Sequence, residues 1–440
     1  MTASHSAKQK GILVLSQYWY PENGVHQRRW SWLSKLSVEA GHEVTVICPV
    51  PYHERKTSFW SWLCSVKDLR NTHETGPSGE TIIRSGHMPG GQSITAKVFN
   101  QGGVALAMLK EAFSQKMQRN FVRPNLIIGT VPSVPTALIT PIIARIFSVP
   151  YVIDLRDPWP DLFSEGRSWN SGNGKASVRQ RILSSGPLQL VSIVVSWLMY
   201  RSFKSAAGIM FTSKRHESEL LDREELRGIP LKTAVIRNVF PPKSRALRTK
   251  HIDEGKKELN VLYAGTLGRA QNLNNVLDAL KIAREKGNLI SIRLVGAGVN
   301  SSELRKRIKE ENLPAKVLGR VPAEELLEHY SWADTALVHL TDWKSLELAV
   351  PSKIYELMSN KIHISGVLRG ESAELIERLN CGHVVEPENP DALADYWERL
   401  IEDRSRLAVS EDSSIWVEEQ RNEVVPKVFM SFLNELGTND

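Results

Sequence analysis

Short apolar runs punctuate this chain at intervals that suit strands alternating with helices. Ile12-Leu13-Val14-Leu15 is a β-branched run. A loop leads from it to Gly24, and apolar positions at Trp30, Leu33 and Leu36 then recur at helical spacing. Gly41 closes that helix, and Val44-Thr45-Val46-Ile47 reads as the next strand, which makes a βαβ opening. Leu126-Ile127-Ile128-Gly129 and Tyr151-Val152-Ile153-Asp154 each follow a proline and read as further parallel strands. A second series starts at Val261-Leu262-Tyr263-Ala264-Gly265. It continues through a helix over 273–286, a strand over 291–295 ending in Gly296-Ala297-Gly298, strands near Val317 and 336–338, a helix from Lys353 to Met358, and a strand over 362–365. Between the two series stands Phe240-Pro241-Pro242-Lys243, followed by a polar stretch to Glu258, a linker composition. The pattern predicts an α/β protein of two doubly wound, Rossmann-like domains, residues 1–240 and 241–415. A terminal helix over 416–440 is expected to pack back on the first domain. Ligands of such sheets bind beyond the C-terminal ends of the strands, so the expected site faces a central cleft.

Composition trims the options. Three scattered cysteines, Cys48, Cys64 and Cys381, exclude a disulfide framework and a Cys-x-x-Cys zinc site. The polar first ten residues lack the apolar stretch of a signal peptide. The apolar part of the longest uncharged run, 188–200, is shorter than the ~20 residues that span a bilayer. It reads as a buried or interfacial helix. There is no Gly-x-x-x-x-Gly-Lys-Ser/Thr, no Gly-x-Gly-x-x-Gly after the first strand, no Asp-x-Asp and no metal-spaced histidine group. A P-loop nucleotidase, a dehydrogenase and a metal-dependent site of the Asp-x-Asp type are thereby disfavoured. His26, His42 and His363 read as structural.

The strand ends carry the chemistry. SQYWYPENGVHQRRW, PYVIDLRDPWPD, LYAGTLGRAQNL, VGAG, LGRVPAEEL, VPSKIYELM and RGESAELIE occur in that order over roughly Gly11 to Leu400. Together they resemble glycosyltransferase family 4, whose members have the GT-B fold and retain anomeric configuration. The closest likeness is to the branch that builds colanic acid, O-antigen and related polysaccharides. The resemblance implies a transferase that takes a sugar from a nucleotide donor, expected to be UDP-linked, and needs no metal or other cofactor. Implied partners are that nucleotide sugar and a polyprenyl-diphosphate-linked or other membrane-associated glycan acceptor, with no nucleic acid. The implied place is the cytoplasmic face of the membrane. Two other readings stay open: a GT-B 2-epimerase or hydrolase, and a non-catalytic partner subunit.

Each motif also has a physical reading. Gly24, just before a helix, suits backbone approach to an anion, or is an ordinary turn glycine. Gly265 and Gly268 open the second domain's first loop, where Arg269 can neutralise a leaving diphosphate; Gln271-Asn272 stand where the family often has a lysine. Lys353 can share that task. Glu356 matches the family glutamate that grips the ribose hydroxyls. Eight residues earlier stands Leu348, with Glu347 off by one, which departs from the family's glutamate pair. Glu371, Ser372 and Ala373 begin another helix, whose amides can meet the diphosphate and whose Glu371 can hold a sugar hydroxyl or simply cap. Arg156 and Asp157 stand where many members have a histidine. They can orient an acceptor hydroxyl or phosphate, or form a buried ion pair.

Charge is divided along the chain. Residues 1–240 hold 29 Lys+Arg against 17 Asp+Glu, whereas residues 241–440 hold 27 against 32. Trp19, Trp30, Trp32, Trp60 and Trp62 crowd the start of the basic half. The stretch from Lys97 to Arg123 interleaves five basic residues with Phe99, Leu106, Met108, Leu109 and Phe113. This combination predicts attraction to an anionic membrane surface.

Overall fold

The computed structural model describes residues 10–22, 24–51, 54–55, 73–89, 94–163, 187–242 and 253–436. The chain divides into two compact units. One comprises Met1–Pro160, Leu183–Phe240 and Val424–Asp440, and the other Asp161–Ile182 and Pro241–Glu423.

In unit 1 the strands are β1 (Gly11–Leu15), β2 (Glu43–Pro49), β3 (His73–Thr75), β4 (Thr81–Ser85), β5 (Leu126–Val131), β6 (Tyr151–Leu155), β7 (Gly208–Phe211) and β8 (Lys232–Val235). They form one sheet ordered β3-β4-β2-β1-β5-β6-β7-β8, parallel except for β3. The central strands are buried end to end, as expected of a parallel sheet covered on both faces. Its helices are α1 (Val25–Glu39), α2 (Ile94–Met117), α3 (Val134–Phe147), α4 (Pro187–Lys204) and α5 (Lys214–Leu221). Right-handed crossovers put α2, α3, α4 and α5, which all advance toward β8, on one face, and α1 on the other. α2 packs on α3 and α3 on α4.

The tryptophans correct one expectation. Trp19, Trp30 and Trp32 are buried in unit 1, at 3%, 2% and 8% exposure, and so do not serve a membrane interface. Their indoles fill the space beside the sheet: Trp19 Nε1 donates to Glu80, and Trp30 Nε1 donates to Asp154 at 2.8 Å. Trp60 and Trp62 lie outside the described residues. The same Asp154 forms a fully buried ion pair with Arg29, 2.8 Å from Nη2, and Arg29 Nη1 also donates to the Ile236 carbonyl and to Asn238 Oδ1. Arg29 therefore ties α1 to β6 and to the segment after β8.

In unit 2 the strands β9 (Glu258–Ala264), β10 (Leu289–Val295), β11 (Ala315–Leu318), β12 (Thr335–His339), β13 (His363–Val367) and β14 (Gly382–Val385) form a wholly parallel sheet ordered β11-β10-β9-β12-β13-β14. Its helices are α6 (Leu273–Glu285), α7 (Ser301–Glu310), α8 (Ala323–Trp332), α9 (Ser352–Ser359), α10 (Glu371–Arg378), α11 (Pro390–Glu402) and α12 (Glu411–Glu419). α6 packs on α11 around Val276, Leu280 and Trp397, over Val261 and Tyr263 of β9. Among the described residues no helix is long and apolar enough to cross a membrane.

Trp416 of α12 stacks on Tyr355 of α9, and this contact keeps α12 in unit 2. The units therefore divide at Glu423/Val424, a few residues beyond the 415/416 boundary read from the sequence. A π-helical turn, Gln420–Val424, marks the crossing into α13 (Val425–Glu435). Pro426 stands just past it and has no N–H to give to Asn422 one turn back. Phe432 of α13 fills the space above Gly208 on β7, Lys10 Nζ donates to the Leu433 carbonyl at 2.9 Å, and Lys232 Nζ donates to the Glu435 carbonyl at 2.7 Å.

Candidate functional site

In unit 2 the connection after β9 runs outward to β10, and that after β12 runs the opposite way to β13. The crevice at this switch point, beyond the C-terminal ends of β9 and β12, is where open α/β sheets take ligands. Three loops converge there, and glycines let them. A Cβ on Gly296 would overlap the Gly265 carbonyl, and one on Gly370 would overlap the Glu347 carbonyl; both residues have positive φ, at 145° and 74°. Backbone bonds tie the cluster: Gly265 N–H donates to the Val295 carbonyl, Leu267 N–H to Ala297 and Thr341 N–H to Ala270.

Lys353, the second residue of α9, reaches under the Gly265 loop. Its amine lies 3.9 Å from the centre of the Tyr263 ring, and a side chain at position 265 would begin 3.0 Å from it. The nitrogen is shielded from water and makes no hydrogen bond among the described residues. Burial pushes its pKa down to about 7. A shielded cation set against an aromatic face, with no hydrogen bond among the described residues, gains from an incoming anion. Glu356 stands three residues on, on the same side of α9.

The first loop carries Gly268 just ahead of a short 3-10 turn, Arg269–Gln271. Asn272 follows in the left-handed region, and its amide donates to both Glu388 oxygens, at 3.0 and 2.8 Å. Thr341 Oγ1 donates to the same carboxylate at 2.6 Å. Burial works to raise the Glu388 pKa, but these hydrogen bonds outweigh it and leave the group below its ordinary value. His339, at the end of β12, is fully buried and accepts or donates to Asn275 at 2.9 Å; burial pushes it down to about 4, so it is neutral near pH 7. Sequence reasoning passed over Glu388, Thr341 and His339. The available signal was a polar His-Leu-Thr ending the apolar run of β12.

On the far side of the crevice, Glu371 and Ser372 start α10 and are both buried. Ser372 Oγ donates to the Ala349 carbonyl at 2.9 Å, and Ala373 N–H donates to the Gly370 carbonyl at 3.0 Å. Leu348 is buried, whereas Glu347 keeps some surface, and the Glu347 backbone sits on Gly370. His363 lies at the start of β13, the opposite end of the sheet, bonded to Thr335 and Tyr396.

In unit 1 the equivalent switch point falls between β1 and β5. Thr130 Oγ1 donates to Ser16 Oγ there, at 3.2 Å. Gly24 caps α1, but its N–H donates to Gln27 Oε1 at 2.8 Å, and Gln27 in turn donates to Glu22. That amide is thus already engaged, with a carboxylate close by. At the end of β6, Arg156 is buried, and its Nε and Nη1 make no hydrogen bond among the described residues. Burial lowers its pKa to about 10, with Asp157 pulling the other way. Burial raises the Asp157 pKa, opposed by Arg156 and reinforced by Asp154. The buried ion pair of this region is Arg29–Asp154. Among the described residues no three His, Cys, Asp or Glu side chains converge as metal ligands would.

The family model for Glycosyl transferases group 1 matches residues 245–422, which takes in every unit 2 residue of the crevice. The likeness to group 1 glycosyl transferases thus lies in residues 245–422. A probable glycosyltransferase of Pseudomonas aeruginosa, WbjE, is 28% identical to the chain over 177 residues. That match spans 40% of this chain and 42% of WbjE, less than half of either. Sucrose-phosphate synthase from Thermosynechococcus elongatus matches 98% of this chain and 100% of its own with a TM-score of 0.68 at 15% identity. Anabaena HepE, solved in complex with UDP and glucose, matches 98% and 100% with a TM-score of 0.61 at 15% identity. The likeness to these two structures shows the fold: two Rossmann-like α/β units of the GT-B type.

Proposed function

We propose that the protein is a retaining, metal-independent glycosyltransferase that moves a sugar from a UDP-sugar to a lipid-linked glycan acceptor at the cytoplasmic face of a membrane, in cell-surface polysaccharide synthesis. The observation that carries this reading is the Lys353 amine, shielded beside the Gly265 loop and without a hydrogen bond among the described residues. A nucleoside diphosphate placed against that loop supplies the missing countercharge. Arg269 adds a second cation, and the start of α10 adds amide dipoles. Glu356 takes the ribose hydroxyls and Glu371 a donor-sugar hydroxyl. The UDP preference is supported by the HepE complexes with UDP and with UDP-glucose.

As the anomeric carbon–oxygen bond breaks, negative charge grows on the diphosphate, and Lys353 and Arg269 stabilise it more in the transition state than in the bound donor. The acceptor hydroxyl attacks from the same face and passes its proton to the departing phosphate oxygen, so configuration is kept. In unit 1, Arg156 and Asp157 are proposed to position the acceptor, with Arg156 N–H groups available to a phosphate oxygen.

A thermal-shift panel of nucleotides and nucleotide sugars tests the reading. UDP and one UDP-sugar should raise the melting temperature of the wild type, while Lys353→Met should respond to neither. A wild type that neither binds nor turns over any nucleotide sugar sinks it. Free sugar released without acceptor would mark a hydrolase instead.

A further inference from the structure

The described residues hold eighteen exposed large apolar side chains, and eleven of these lie on three adjacent helices of unit 1, α2, α3 and α4. They form stripes. On α2, Phe99, Leu106, Phe113 and Met117 fall on one side, Phe99 being 74% exposed. Val104, Met108 and Ala112 fill the buried opposite side. On α4, Ile193 and Trp197 belong to a similar stripe, Trp197 being 58% exposed. A helix apolar all round is normally covered on every side, yet these outer stripes are covered by none of the described residues. A patch of this kind marks an interaction surface.

The charges on the same helices identify the occupant. α2, α3 and α4 carry six Lys or Arg and a single acid, Glu111, which is engaged with Gln115. Four of the cations, Lys116, Arg145, Arg201 and Lys204, sit in the last turns of the three helices, where Lys116 also bonds the Ile146 carbonyl. Between α3 and α4 runs a groove of about 730 Å³ with apolar walls, Leu138, Pro141 and Ile142, and with Arg145 and Arg201 along it. The Arg201 guanidinium lies 5.6 Å from the Trp197 ring centre, a pairing of cation and amphipathic ring suited to the boundary between acyl chains and water. Two-fold pairing with a second copy would set this one-signed surface against itself.

We infer that the outer face of α2, α3 and α4 docks on an anionic lipid bilayer. The stripes enter the headgroup boundary, and Arg145, Arg201 and Lys204 meet lipid phosphates. The inference concerns a face of unit 1 formed by other residues than those of its crevice; it deepens the membrane placement proposed above and is tested apart from nucleotide binding.

The test is co-sedimentation of the full chain with vesicles of phosphatidylcholine alone or mixed with phosphatidylglycerol. Wild type should pellet with the mixed vesicles at low salt and be released at high salt. Ile193→Glu/Trp197→Glu and Phe99→Glu/Phe113→Glu should each weaken binding by about tenfold or more. Arg145→Gln/Arg201→Gln should lose the preference for the anionic lipid. Leu289→Glu, on an exposed apolar residue of unit 2, should bind as wild type does. Melting temperature and UDP response, measured alongside, show that the variants are folded and keep a failure of docking distinct from a failure of nucleotide binding. Wild type left in the supernatant overturns the inference. So do stripe variants that bind undiminished, or a wild-type dimer that the stripe variants split without any vesicle binding.

Discussion

Lys353 has opposite effects on stability and on binding. Its folded pKa, about 7, lies below its ordinary 10.5. Above pH 10.5 the side chain is neutral in both states and costs nothing. As pH falls toward 7 the unfolded chain takes up a proton that the folded chain refuses, so stability declines across that window and levels off below it. Lys353→Met should therefore flatten this part of the stability–pH profile and raise the melting temperature near neutrality, while removing the nucleotide response. A melting temperature that drops, with the nucleotide response intact, would rule out the assigned role. A diphosphate beside the amine favours its charged form, so nucleotide binding between pH 7 and 9 should take up a proton. Calorimetry in buffers of different ionisation enthalpy reads that uptake directly.

At the scale of elements, glycines and one ion pair hold the parts in place. Gly296→Ala puts a methyl where the Gly265 carbonyl lies, at a φ that side chains rarely adopt. Denaturant unfolding should show a loss of about 1–3 kcal/mol, with weaker nucleotide binding; an unchanged midpoint would contradict the close approach of the loops. Arg29→Met strands Asp154 in the core of unit 1 and should cost about 3–5 kcal/mol. The apolar runs made β1, β2, β5, β6 and β9 legible in the sequence, because strands of a covered parallel sheet are apolar on both faces. β3, β4, β7 and β8 went unread, being short or resembling the flanking loops in polarity. Lys353, Glu356 and Glu371 could be picked out from motif order, and Gly296 from its glycine pair. Composition cannot tell an indole in the core from one at a surface. For that reason Trp19, Trp30 and Trp32 suggested a membrane contact, whereas the structure buries them and leaves apolar side chains of α2 and α4 exposed instead. Glu388 and Asn272, 116 residues apart in the chain, meet only in three dimensions.

Taken whole, the molecule is two Rossmann-like units built from unequal pieces of chain. Unit 1 recovers its α13 only after unit 2 is complete. Ending the chain at Glu423 removes Val425, Phe429, Phe432 and Leu433, all buried. The lower of two melting transitions should then belong to unit 1, and the nucleotide response of unit 2 should persist. A single unshifted transition would show that α13 adds nothing.

The return of α13 also orders events on the ribosome. The sheet of unit 2, β9 to β14, lies within one continuous stretch of chain, so it can close as soon as that stretch emerges. The sheet of unit 1 is translated first but must wait, with the space above Gly208 unfilled, until Phe432 arrives nearly two hundred residues after Phe240. The earliest part of the nascent chain is thus the last to be finished, and it is the part that would need a chaperone's cover.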